Sequence, residues 1–185
     1  VLLDVNANFL FSGNLKGDGA TLFDSIKTSN GAIINDEGEY AKVRTFERGL
    51  FAGARLGYVL PVFRKNPNSG PFFSIGAGIL QHKIRIEVDG NDAPQLNGDY
   101  KKGYDKLCNG PAITEFVGYL YLSHDHLLNF YAGFEFYQAF TQSRRSWDFN
   151  MMQRDTKKRI DLLYSFKFGW IIPIYRRVPD KFYFN

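Results

Sequence analysis

The sequence is short of several things, and each shortage removes a class of protein. One cysteine, Cys108, stands among 185 residues, so no internal disulfide framework and no multi-cysteine zinc site can form. Histidine occurs three times. No run of about 18 apolar residues is present, which excludes a transmembrane helix. Phosphate loops, nucleophile elbows, metal-ligand clusters and internal repeats are all missing. The net charge of +4 is too mild to imply a nucleic-acid partner. No leader precedes Val1, which begins directly in an alternating segment, so the expectation is a mature, trimmed form of an exported protein.

Aromatic residues are what the sequence has in excess: 17%, with 18 Phe and 11 Tyr, alongside 18 Gly. Aromatics with glycine favour strands and tight turns over helices. Six segments show period-two alternation, one apolar row against one polar row. They span residues 1–11, 46–60, 72–87, 112–122, 128–140 and 160–174. The last is the clearest: Ile160, Leu162, Tyr164, Phe166, Phe168, Trp170, Ile172 and Ile174 form one row, with Asp161, Ser165, Lys167 and Gly169 opposite. In 46–60 the row opposite the apolar one is Gly49, Phe51, Gly53, Arg55 and Gly57, which is not a normal hydrophobic core. Segment 72–87 changes phase at its upper end, as a bulge or a strand running past a membrane would require. Segment 112–122 is the least regular. Phe116, Leu120 and Leu122 are expected outward there, with Glu115 and Tyr119 inward.

The connections run long, short, long, short, long. Linkers 12–45, 88–111 and 141–159 are long and polar, whereas 61–71 and 123–127 are short. That asymmetry, with segments long enough to cross the hydrocarbon layer as tilted strands, predicts an all-β antiparallel transmembrane barrel with long extracellular loops and short periplasmic turns. A lipocalin-like barrel or a sandwich is the soluble alternative, since alternation is symmetric to inversion. Such barrels carry an even number of strands, eight or more. Eight are expected here, the missing pair lying before Val1 or hidden in a long loop, and segment 30–45 is expected to add a hairpin above the membrane. The barrel is assigned to residues 1–175 and a periplasmic tail to 176–185.

Charges on the lumen rows are Asp4, Glu47, Arg55, Glu115, Glu135, Asp161 and Lys167. Charges in a narrow barrel must pair, so these read as a salt-bridge network filling the interior rather than as a path for solute. His124 and His126 flank Asp125 and read as a solvated turn, with no third metal ligand nearby. His82, with Ser143 and Ser146 at similar height, is the one opening for catalysis in the outer leaflet, but no local motif supplies a nucleophile and base. Loop 141–158 is basic, five cations against two carboxylates, and holds Arg144, Arg145, Trp147 and Phe149. Those residues suit lipopolysaccharide phosphates or a protein partner. No cofactor or metal is expected.

The stretches NPNSGPFFSIGAGILQHKIRIE (66–87), GDYKKGYDKLCNG (98–110), NFYAGFEFYQAFTQSRRSWDFN (129–150) and FKFGWIIPIYRR (166–177) give the chain a further feature. In them it resembles the small outer-membrane β-barrel proteins of Bacteroidota. The resemblance is one of sequence style and carries no active site. It implies an integral outer-membrane location. It also implies a non-enzymatic accessory role beside other outer-membrane proteins or lipoproteins, in the barrel-assembly or type IX secretion machinery. The alternatives are a lipid-modifying enzyme of the outer leaflet and a passive channel for small or hydrophobic compounds.

Overall fold

The protein was studied as a computed structural model, which describes residues 1–15, 22–62, 69–91, 93–123 and 129–172. Six strands follow one another: β1 (Leu2–Asn14), β2 (Val43–Val59), β3 (Gly70–Val88), β4 (Cys108–Leu122), β5 (Asn129–Ser143) and β6 (Lys158–Trp170). Each pairs antiparallel with the next, giving one six-stranded sheet in sequence order. Apart from three short 3-10 segments between Asp89 and Gly103, the described chain has no helix. Each of the six alternating segments holds a strand that reaches one to four residues further at the long-loop end, and the last strand stops at Trp170.

The sheet is curled into a half-barrel. Side chains from strands far apart in the order meet across its concave face: Asn8 of β1 reaches Tyr137 of β5, Arg55 of β2 reaches Glu135 of β5, and His82 of β3 reaches Asp161 of β6. β1 and β6 remain the two edges, with no ladder between them among the described residues.

The two faces reverse the usual distribution. On the convex face Val5, Phe9, Ile75, Phe134, Leu162, Phe166 and Trp170 are exposed, Trp170 by 66% and Tyr164 by 83%. The concave face is lined by Arg55, Thr114, Glu135 and Thr141, all buried. It also carries aromatic rings laid over glycines. A Cβ on Gly53 or Gly78 would stand 2.7 Å from Cζ of Phe51, and one on Gly118 or Gly133 would stand 2.7 Å from Cζ of Phe116. Glycine is therefore required where each ring lies along the sheet.

One expectation is corrected here. The faces of β4 are the reverse of those expected: Phe116 and Leu120 are buried on the concave side. Tyr119 and Glu115 are exposed on the convex side. The physical reason is Gly118, which lies on the same row as Phe116 and leaves the space its ring fills. Segment 30–45 turns back on itself through one antiparallel bridge, Ile34 to Tyr40, before its last residues enter β2.

The phase change in β3 has no bulge behind it, because its register with β2 runs unbroken from Phe72 to Val88. The strand instead changes environment. Up to Ile79 its outward residues are apolar; beyond, Gln81, Lys83 and Arg85 point outward. Inward, Leu80 and Ile86 are buried. Ile86 joins Leu22, Phe23, Ile33, Ala93, Leu96 and Tyr104 in a second core formed by the long loops. Phe149 packs on Tyr104 there at 5.2 Å between ring centroids. The long loops thus fold into a cap with its own apolar centre.

Candidate functional site

Three layers of polar residues stand on the concave side. The deepest is centred on Arg55. Its Nε and Nη2 donate to Asp4 Oδ2 at 3.0 and 2.6 Å, and its Nη1 donates to Glu135 Oε1. Glu135 also accepts from Tyr137 Oη at 2.7 Å and from Lys167 Nζ at 3.1 and 3.2 Å. Asn8 Nδ2 donates to the same phenol at 2.8 Å. Glu135 is only 2% exposed, and a carboxylate so deep persists because three neighbours, Arg55, Tyr137 and Lys167, compensate the lost water. Period two places all these residues: Asp4, Arg55, Glu135, Tyr137 and Lys167 fall on the inward row of their strands, and antiparallel pairing sets Asp4 directly opposite Arg55.

The second layer lies nearer the cap. His82 Nε2 is 3.0 Å from Asp161 Oδ2, and its Nδ1 is 3.5 Å from Glu47 Oε1. Thr141 Oγ1 donates to Asp161 at 2.5 Å. A carboxylate therefore stands beside each ring nitrogen, and among the described residues no hydroxyl or thiol is hydrogen-bonded to either. Cys108 faces His82 across the β3–β4 pairing and Ser143 faces Cys108 across β4–β5, but no side-chain hydrogen bond joins the three.

The third layer belongs to the cap. Arg145 clamps Asp105 with Nε (2.7 Å) and Nη2. Arg144 donates to Asn109. Arg159 meets Asp155 at 2.5 Å. Burial opposes ionisation of Asp155, but hydrogen bonds from Arg159 and the Lys157 amide outweigh it and hold its pKa below the usual 3.8.

Of the six residues expected in one interior network, Asp4, Arg55, Glu135 and Lys167 are joined. Asp161 belongs instead to the separate His82 layer, as does Glu47, the seventh charge expected on the inward rows. Glu115 is corrected to the convex face, midway along β4, opposite Ile75 and Phe136. Of the four residues expected to dock a partner, Arg145 and Phe149 work inside the cap, whereas Arg144 and Trp147 are exposed. His124, His126 and the 176–185 tail lie outside the described residues. Sequence reasoning missed Tyr137, Asn8 and Thr141 as members of these layers; their inward parity was the available signal.

Two cavities flank the Arg55 layer along the gap between β1 and β6. One of about 320 Å³ is lined by Leu2, Asp4, Arg55, Phe72 and Ile171. The other, about 260 Å³, is lined by Asn8, Leu10, Glu135, Leu163 and Lys167. The ion network stands between them. No cluster of three metal-ligating side chains occurs among the described residues. Compared with protein-family models, curated proteins and solved structures, the chain matches none.

Proposed function

We propose that this chain forms most of an eight-stranded β-barrel of a Gram-negative outer membrane. In that reading it serves as a non-enzymatic, structural subunit of a multi-protein complex for protein assembly or secretion. The observation that carries it is the inverted sheet, exposed and apolar on its convex face and buried and ionic on its concave one. Lipid is the solvent that such a face suits, whereas in water an apolar patch of that extent would drive association. The polar edges of β1 and β6 need partners inside a bilayer. Since β1 and β6 run in opposite directions, two further strands would close the ring with alternation preserved.

A filled interior and a folded cap favour anchoring over transport. The Arg55 network stands between the two cavities of the concave side, so an open solute path is the weaker alternative. Exposed Trp147 and Arg144 on the cap offer a docking point for another outer-membrane protein or a lipoprotein. One observation favours a second reading, a lipid-modifying enzyme: His82 lies beside two carboxylates near the rim. The occupied ring nitrogens weigh against it.

A pulldown of the tagged full-length protein from mild-detergent extracts, read by mass spectrometry, tests the subunit reading. Stoichiometric recovery of an outer-membrane barrel or lipoprotein is expected, and recovery of this chain alone refutes it. In that case lipid A mass spectra from a His82→Asn strain decide on the enzyme.

A further inference from the structure

The outward face of β2 and β3 changes chemistry at one height, whereas on β1 Phe11, paired with Arg48, stays apolar and exposed. Beyond Leu50 the outward row of β2 continues with Arg48 and Phe46, and beyond Ile79 that of β3 continues with Gln81, Lys83 and Arg85. Arg48 and Lys83 are directly paired across the two strands. A cavity of about 410 Å³ opens at this point, lined by Arg48, Lys83, Ile84, Arg85, Lys101 and Asp105 among others. Its carboxylates are already engaged: Asp105 is clamped by Arg145, and Glu87 beside the cavity holds Arg85 at 2.8 Å. Arg48, Lys83 and Lys101 have no carboxylate partner among the described residues. Gathering like charges costs free energy unless an anion offsets it.

Arg48 is also held ready. Its Nη1 donates to the carbonyls of Ser12 (3.0 Å) and Glu47 (2.9 Å), and its guanidinium lies over the rings of Phe11 and Phe46 at 5.3 and 5.1 Å. Those contacts fix the plane of the group and leave Nε and Nη2 as donors for one oxyanion. The chain beside the cavity is pinned as well, by the Ile84 amide donating to the Asp105 carbonyl at 2.7 Å.

We infer that this cavity binds the phosphate of an anionic lipid headgroup in the leaflet on the long-loop side. The inference rests on the membrane-barrel reading. In that reading the cations stand directly above the apolar band, where acyl chains on Leu50 and Ile79 would place a headgroup phosphate. It also moves the lipid contact away from Arg144 and Arg145, which are bonded to Asn109 and Asp105.

The test is lipid retention by the full-length protein in detergent, followed by native mass spectrometry. The probes are bisphosphorylated lipid A, its dephosphorylated counterpart and inorganic phosphate. A triple variant, Arg48→Gln with Lys83→Gln and Lys101→Gln, is compared with a charge-matched control, Arg144→Gln with Arg154→Gln and Lys157→Gln. The expected result is retention of the phosphorylated lipid that falls at least about tenfold in the triple variant and stays within about twofold in the control. Equal retention in both variants, or equal retention of the dephosphorylated lipid, overturns the site. Displacement by inorganic phosphate at concentrations matching the lipid overturns the lipid and leaves a free-phosphate site. Folding of both variants is checked by heat-modifiable gel migration, and a misfolded triple variant is replaced by Lys83→Gln alone with the same criteria. If the native protein proves soluble without detergent, the barrel reading has failed, and that outcome is separate from loss of lipid in a detergent-dependent barrel.

Discussion

Replacing Glu135 by leucine removes the acceptor around which the interior is arranged. The wild-type carboxylate takes bonds from Arg55, Tyr137 and Lys167 while 2% exposed. Its loss leaves the Arg55 guanidinium, itself 9% exposed, with Asp4 as its one remaining carboxylate. It also leaves the Tyr137 hydroxyl hydrogen without an acceptor. Lys167, whose side chain is 20% exposed, reaches water more cheaply. Breaking a buried ion pair from one side costs about 3–5 kcal/mol, and the upper half of that range is expected here. Glu135→Gln keeps an acceptor and loses the charge, for about 1–2 kcal/mol. Glu135→Leu combined with Arg55→Met removes both members of the pair, and Asp4 is half exposed, so the double variant is expected to recover at least about 1 kcal/mol relative to Glu135→Leu alone. The assay is the midpoint of urea unfolding in one detergent, followed by tryptophan emission, with an unchanged slope. A cost below about 1 kcal/mol for Glu135→Leu, or strict additivity of the two changes, would refute the claim that these charges are sealed from water.

Further outcomes follow from other parts of the molecule. Gly118→Val sets a Cβ 2.2 Å from the Ala132 carbonyl oxygen and 2.7 Å from Cζ of Phe116. It is expected to cost about 3 kcal/mol or more in the same urea assay, and a neutral result would contradict the ring-over-glycine packing. Glu115→Leu removes the carboxylate from the middle of the convex face and is expected to raise stability in lipid vesicles by about 1–2 kcal/mol; destabilisation there would argue that this face meets water. Asp155 has a lowered pKa, so its contribution to the cap is complete above about pH 4 and is lost as pH falls through its lower folded value. Trp147 emission in a Trp170→Phe background should report an acid loosening of the cap, and Asp155→Asn should abolish that limb. Retention of the limb in Asp155→Asn would assign it to another group.

Much of this architecture is legible in the residue order because a β-strand records its two faces at alternate positions. The rows Ile160 to Trp170 and Phe130 to Phe140 could not be misread. The positions of Asp4, Arg55, Glu135 and Lys167 on the rows opposite the apolar ones brought the ionic interior into view. β4 was misread because both of its rows are mixed: Phe116 and Leu120 on one, Val117 and Tyr119 on the other. Glycine held the answer. Gly53, Gly57, Gly76 and Gly78 all share the inward rows, and the same rule applied to Gly118 turns Phe116 inward and Glu115 outward. The Phe-x-Gly spacing of 51–53 and 116–118 repeats that signal, since each ring needs an inward glycine two residues on. The cap was not legible. Leu22, Phe23, Ile33, Leu96 and Tyr104 are scattered through two polar loops, and only long-range contact gathers them. The uses of Arg145 and Phe149 inside the cap were hidden for the same reason.

Two tryptophans allow the central claim, that the convex face meets lipid, to be tested without a foreign label. Trp170 lies on the convex face and Trp147 on the cap, 66% and 47% exposed. Single-tryptophan proteins, Trp147→Phe and Trp170→Phe, would be folded into vesicles of brominated phosphatidylcholine and titrated separately with aqueous acrylamide. The account predicts strong quenching of Trp170 by the brominated chains and little by acrylamide, with the reverse for Trp147. Equal acrylamide quenching of both residues with no response to bromine, from protein that remains dispersed without lipid, would contradict it.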